Sequence, residues 1–540
     1  MYMKNKGFTL VELLAVIVIL AIVLIIAVPG VLSIINKTKD NAFDRQLDMI
    51  KEASRLYITS DSDVTWVGQD TKMTTVTLDT LKAKGYLDQK IMNPKTKKEI
   101  TCAKTVITKR GSKYDYDVTI CDQVNTSPRL SSNMIPIVYD GSKWVKADYT
   151  NQDNNWYNYD NQQWANIATV SEETRANYKK ARVGEEIKLQ DINAMFVWIP
   201  RFKYKLFNID GTVSPVGNTN LAGNYLIDVQ LEDTSTPKSK GSQNGQWLTH
   251  PAFTFGGQEL EGFWMAKFET GYYGATTTEE AQVNTVDPAK VIIKPNMYSW
   301  RGIQAVNMYK NAQGMRPIPM FGLSENEDPH LTKDMEWGAL VYLTYSQYGK
   351  QGNASYSEED KRVRLNNNST YRTGCGAESQ TAPSQTSCNS YETVNGMSAS
   401  TTGNITGVYD TNGGVWDYVA GVMKAENGID YDGSNSGFEQ DELNQLANGG
   451  KYFDVYSYAT NFQERSRGQL GDATLELGPF TSDSNTWDAA YSVFPYTRGP
   501  WVIRGVSLWH YNRDQIQGMS GIYGSDASAS ANDGSRISLV

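Results

Sequence analysis

Acid–base, thiolate and metal chemistry need side chains that this chain uses sparingly. Its three histidines, His250, His330 and His510, are scattered over 540 residues. That spacing does not build a site needing several imidazoles, so each reads as a surface or hydrogen-bonded residue rather than a ligand. The four cysteines fall as two local pairs, Cys102/Cys121 and Cys375/Cys388, with no CxxC spacing, and no metal site is expected of them. Each pair reads as a local disulfide formed in an oxidising compartment, with buried free thiols the alternative. The acidic stretch Asp430-Tyr431-Asp432-Gly433-Ser434-Asn435 offers oxygen ligands of the kind calcium takes. Its glycine is misplaced for an EF-hand loop, and a solvated turn is the plainer reading. What remains is recognition. Segment 507–534 carries Trp509, His510, Tyr511, Asn512, Arg513, Asp514, Gln515, Tyr523, Ser525, Asp526, Asn532 and Asp533. These are rigid aromatic anchors and adaptable hydrogen-bonders, the mixture that ligand-binding surfaces use; an ordinary polar loop over the core is the bland alternative.

A second chemically pointed residue lies at the other end. Glu12 sits within an apolar run that reaches Val28, long enough to cross a bilayer at roughly 20 residues per 30 Å. An ionised carboxylate there costs several kcal/mol unless it is paired, and a simple signal anchor held by Lys4 and Lys6 has no use for it. The stretch Lys4-Asn5-Lys6-Gly7-Phe8-Thr9-Leu10-Val11-Glu12-Leu13, with Pro29-Gly30 at the far end, resembles the type IV prepilin signature. The resemblance implies cleavage between Gly7 and Phe8 by a prepilin peptidase, N-methylation of Phe8, and pairing of Glu12 with the free amine of a neighbouring pilin subunit. It also implies a single-pass protein of the cell membrane with its C-terminal part outside, carried to a pilus or the cell surface after processing.

These residues need elements to carry them. After the leader (1–7), a helix is expected over 8–59, its transmembrane part over 8–32. Beyond Pro29, Ile35, Ala42, Leu47, Ile50, Ala53 and Tyr57 recur at helical spacing among charged residues. Such a helix would reach roughly 75 Å at 1.5 Å per residue, and its outer apolar stripe needs a cover. Residues 60–125 are expected to supply it. Thr77 to Leu87 reads as a short capped helix ended by Gly85, followed by the turn Asn93-Pro94. Glu99–Cys102 and Tyr114–Cys121 alternate like strands about the turn Arg110-Gly111-Ser112, so that Cys102 and Cys121 would staple a hairpin. This resembles the small head of a Gram-positive pilin or competence-type pseudopilin.

The break Asp122–Pro128 opens a larger region, 126–540, rich in Asn, Gly, Ser and Tyr, without repeats or long amphipathic helices. Several pieces resemble the formylglycine-generating-enzyme type of C-type lectin fold. Gly262–Thr270 contains its Lys-x-Glu-Thr strand, and Lys333–Tyr345 its short helix. Gly403–Val419 matches its Gly-x-Val-Trp block, Trp501–Ser507 its Arg-Gly strand and Ser535–Val540 its closing strand. The motif-bearing part is about 260–540. The resemblance implies an α+β chain: a long N-terminal transmembrane pilin helix with a small pilin head, then a large loop-rich lectin-like domain. Asn404, Gly414, Trp416 and Arg504 fall to the scaffold. Family members that make formylglycine place two cysteines just after the Arg-Gly strand, whereas here no cysteine follows Cys388 and that chemistry needs sulfur. Ergothioneine-type relatives need a histidine-rich iron site. Neither is present, so no enzyme and no cofactor is expected. Proteins of this fold diversified by retroelements carry their variable ligand site in the place of 507–534.

A net charge of −9 argues against a nucleic-acid partner, since phosphate binding needs clustered Lys and Arg. The expected function is a pilus-associated minor pilin or adhesin showing its large domain to a protein or glycan ligand. A pseudopilin of a secretion or DNA-uptake machine, or a diversified surface receptor on a pilin-type anchor, are the alternatives.

Overall fold

The computed structural model describes residues 42–540 apart from 62–63, 67–70, 89, 93, 95–98, 101, 121–125, 150–155, 211–225, 354–360, 463–464, 478–491 and 511–517. The expected leader and apolar run, with Gly7, Phe8 and Glu12, lie outside these residues. Among the described residues no helix is long and apolar enough to cross a membrane. The chain is mixed α+β, mostly sheet and loop, and divides into two compact units, Met1–Val124 and Asn125–Val540.

In the first unit, 42–60 is helical and buries Ile50, Ala53 and Tyr57 from the expected stripe. Their core partners are Val76, Leu78, Leu81, Ile91, Ile100, Ala103 and Ile107. One polar pair is buried with them, the Ser54 hydroxyl bonding Thr105 Oγ1 at 2.7 Å. Thr77 caps the helix Leu78–Ala83 by accepting the Thr80 N–H, and the chain leaves it through Gly85 at φ +77°. The hairpin Ala103–Arg110/Lys113–Ile120 forms about Gly111-Ser112, and Thr71–Thr77, a strand not anticipated, pairs with its first arm. The expected strand at 99–102 is corrected: Glu99 bridges Met92 and Ile100 donates to Ile91, so that stretch closes a loop before the hairpin begins. Cys102 is disulfide-bonded, and its expected partner Cys121 lies outside the described residues.

Two large sheets dominate the second unit, beside three small ones of two or three strands among the described residues. The larger is fully antiparallel in the order Pro329–Leu331, Ile537–Leu539, Gly262–Ala266, Ile192–Pro200, Asn166–Val170, Ile135–Tyr139, Trp144–Lys146. Ile192–Pro200 is buried at every position, and apart from Asn193 all its side chains are apolar. Strands from 135–200 thus share one sheet with the motif-bearing part, so the core is not confined to 260–540. The smaller sheet centres on Trp416–Met423, flanked by Trp501–Arg504 and then Ile522–Ser525 on one side; Asp454–Tyr456 and Asp533–Ser535 run parallel to it. The helix Asp334–Thr344 is wholly buried. Cys375 and Cys388 form a disulfide across a loop region, with Cα atoms 5.1 Å apart.

Candidate ligand-binding face

Buried titratable side chains join five distant segments into one frame. Lys267 is fully buried, and its ammonium donates to the carbonyls of Ile405 and Gly407, each at 2.7 Å. Burial holds its pKa well below that of a free lysine. Glu269, two residues on, takes the Val415 N–H at 3.0 Å and the Ser299 hydroxyl at 2.6 Å. The turn it grips requires Gly414: φ is +67° and a Cβ would stand 2.5 Å from Glu269 Oε1. Arg536 donates to Asp417 and to the carbonyls of Ala266, Tyr409 and Asp410. Burial raises the carboxyl pKa of Asp410 and Asp417 even so, with Arg536 opposing it. Arg504 donates to Asp334 at the start of the buried helix and to the Asp472 carbonyl. Gly414, Trp416 and Arg504 are buried, and Asn404, partly exposed, donates to the Gln162 carbonyl at 2.9 Å.

The loop after Arg504 lies over this frame. Gly413 N–H donates to the Val506 carbonyl at 2.7 Å, and Leu508 N–H to that of Gly414 at 3.0 Å. Leu508 is buried with Leu365 and Ala377, while the next residue, Trp509, is 41% exposed. His510 packs edge-on against Trp509 and Trp416, with ring centroids 4.6 and 5.3 Å away. The Trp416 indole N–H donates to His510 Nδ1 at 2.8 Å. An indole only donates, so Nδ1 carries no proton and the neutral ring holds its own on Nε2. Tyr523 completes the cluster, 5.5 Å from the His510 ring. Asn532 links it to a second group: its carbonyl takes the Trp416 backbone N–H at 2.9 Å, and its Oδ1 takes the Tyr371 hydroxyl at 3.3 Å. The Arg301 guanidinium lies 3.9 Å over the Tyr371 ring, with Tyr371 held at φ +54°. Rigid rings with polar edges are what a recognition surface presents.

Of the residues expected to bind a ligand, Trp509, His510, Tyr523 and Asn532 come together here. Tyr511, Asn512, Arg513, Asp514 and Gln515 lie outside the described residues. Ser525 and Asp533 correct the expectation. Ser525 is 9% exposed and pairs with the Tyr418 hydroxyl at 2.5 Å. Asp533 is 7% exposed, and burial pushes its carboxyl up to about 7. Asp526 commits one oxygen to Ser528 and the other to Asn435. All three hold loops, because the chain folds back at 525–533 to pair with Trp416–Met423. Arg301 and Tyr371 were missed. They are far from 507–534 in sequence, and neither sits in a motif that marks it.

The other histidines are internal. His250 donates to the Gly471 carbonyl at 3.0 Å and takes the Ala252 N–H on Nδ1, and burial drives its pKa down to about 3, so it is neutral. His330 Nε2 lies 2.9 Å from Glu336 Oε1. Burial opposes the charged imidazole, but Glu336 outweighs it and the pKa is raised. In the acidic loop, Asp430 accepts from Asn427 and Asn444, and Asp432 from Ser434. Calcium there would have to displace these bonds. Among the described residues no group of three or more His, Cys, Asp and Glu is placed to hold a metal ion.

The family model of the prokaryotic N-terminal methylation motif matches residues 2–28. No curated protein matches the chain. The motif implies processing by a prepilin peptidase and association with pilin subunits or the membrane, and it supports a type IV pilin-like or pseudopilin-like surface or secretion protein.

Proposed function

We propose that this chain is a minor pilin or adhesin of a type IV pilus whose second unit is a C-type-lectin-like domain, similar to formylglycine-generating enzymes, that binds a protein or glycan without catalysis. The motif at 2–28 ahead of a large second unit is the observation that carries this reading. A unit of over 400 residues is bulky for every subunit of a thin fibre, which favours a tip or minor position. The lectin-like part is supported by the meeting of five motif segments through Lys267, Glu269, Arg504 and Arg536. The stretch 506–515, where the resemblance would place two cysteines, holds none, and the exposed Trp509 within it suits binding. The test joins two measurements. Mass spectrometry of the mature chain should find an N-terminus at Phe8, and the chain should co-purify with sheared pili. A retained Met1 would sink the pilin reading, and immunogold spread evenly along the fibre would remove the tip position.

A further inference from the structure

Pro329 opens the edge strand of the larger sheet, and the amide before it joins Asp328 to a proline. The carbonyl oxygen of that amide meets two donors. His330 Nδ1 lies 2.8 Å away, and the Val540 N–H donates at 3.4 Å. A carbonyl only accepts, so Nδ1 carries a proton. The other ring nitrogen, Nε2, faces the Glu336 carboxylate at 2.9 and 3.2 Å. Burial opposes ionisation of Glu336, yet His330 and the Lys333 N–H hold its carboxyl below the ordinary pKa, so Nε2 donates as well. The ring is therefore an imidazolium, fully buried, with one proton aimed at the Asp328 carbonyl. The Asp328 carboxylate meets two cations. Lys451 Nζ holds Oδ2 at 2.8 Å, with the Tyr452 hydroxyl at 3.1 Å. Oδ1 is held more loosely, by Arg316 at 3.3 Å and Tyr452 at 3.5 Å.

We propose that the chain cuts its own Asp328–Pro329 bond. Oδ1 attacks the Asp328 carbonyl carbon, and the new C–O bond closes a cyclic anhydride. The tetrahedral oxyanion meets the His330 Nδ1–H and the Val540 N–H, donors already in place. The C–N bond then breaks, and the Pro329 nitrogen, which has no hydrogen of its own, takes the Nδ1 proton. Water opens the anhydride to two carboxylates, one the Asp328 side chain and the other a new C-terminus. Of the two protons released, one recharges His330 and one the Pro329 amine. One water is consumed, and nothing is oxidised or reduced. The Asp328 side chain is 15% exposed, so water reaches it. Pro329–Leu331 stays paired with Ile537–Leu539, which keeps the two pieces together after cleavage. The step is a single turnover of the chain on itself, independent of the ligand of the Trp509 face and of assembly into a pilus.

The test incubates the full-length chain, purified in detergent, at neutral pH beside a sample unfolded in urea. Denaturing electrophoresis and mass spectrometry follow both. The folded chain should yield one piece ending at Asp328 and one beginning at Pro329. The unfolded chain, which has the same bond without the His330 donor, should stay whole. Hydroxylamine added to the folded chain should leave a hydroxamate on Asp328, the mark of an anhydride that a contaminating protease does not form. His330→Gln should slow cleavage roughly 100-fold, as for loss of one oxyanion donor. Asp328→Asn should abolish it, and this variant decides the matter if His330→Gln does not fold. An uncut folded chain, equal cleavage of folded and unfolded chains, cleavage without the hydroxamate, or undiminished cleavage in Asp328→Asn would each overturn the proposal.

Discussion

His510 Nδ1 accepts the indole N–H of the buried Trp416 at 2.8 Å, which fastens the outer aromatic cluster to the central strand of the smaller sheet. Removing the acceptor strands a buried donor. His510→Ala should lower the stability of the full chain by about 1–2 kcal/mol in thermal or urea unfolding. Once Trp416 is Phe, the same change should cost less, because the two share one bond; strictly additive costs would show that the bond is not held in solution.

Arg504 makes the same kind of link deeper in the core. Neither its side chain nor that of Asp334 is exposed at all. Arg504→Ala would leave Asp334 buried without a counter-charge, at about 3–5 kcal/mol. Arg504→Lys should recover only part of this, because one ammonium cannot reach both Asp334 and the Asp472 carbonyl as the fork does. Urea unfolding of the two variants checks the order, and equal stability of Lys and Arg would contradict it.

Such links explain what could and could not be read from the sequence. The Thr77 cap, Gly85 and the Gly111-Ser112 turn are local signals, and the corresponding elements form there. The strand Thr71–Thr77 was overlooked because its alternation is weak and its partner lies some thirty residues on, at Ala103–Arg110. The candidate face was only half legible. Trp509 and His510 stand out by type, but Tyr371 and Arg301 join them through contacts that no short window contains. Burial of Ser525 and Asp533 was equally hidden, since polar residues in a Gly- and Ser-rich stretch read as exposed loop.

Asp533 gives the second unit a pH dependence. Burial raises its pKa from 3.8 to about 7, with Asp526 adding to the shift and Ser530 opposing it. The folded chain therefore holds this proton more tightly than the unfolded chain. The resulting stabilisation is complete below about pH 3.8 and is lost as the pH climbs through about 7. Asp533→Asn mimics the neutral acid, so it should flatten the slope of stability between those limits and stabilise the chain at pH 8 by on the order of 1–3 kcal/mol. Denaturation midpoints of both proteins at pH 5 and pH 8 check this, and an unchanged difference would refute it.

The Cys375–Cys388 bond closes a loop of sequence separation 13 in a stretch with little regular structure. Chain-entropy arguments put such a closure at about 3 kcal/mol. Replacing both cysteines with serine should lower stability by about 2–3 kcal/mol while leaving the two sheets folded, as read by unfolding and by far-ultraviolet circular dichroism. Cys375 is 1% exposed, so mild reductant should act slowly on the native chain and faster in partial denaturant. Equal rates in both conditions would mean that the loop opens without the core.

Glu12 tests the other end of the chain. Within the matched motif it is the one acidic residue of an apolar run, and a carboxylate at that depth costs several kcal/mol unless it is paired. Glu12→Ala removes that cost, so the variant should enter the membrane at least as well as the native chain. It also removes the partner for a neighbouring subunit's amine, so the variant should be missing from sheared filaments while it accumulates in the membrane fraction. Immunoblots of the two fractions separate these effects. Normal recovery in filaments would show that the carboxylate has another role, and loss from both fractions would point to a defect in folding or insertion instead.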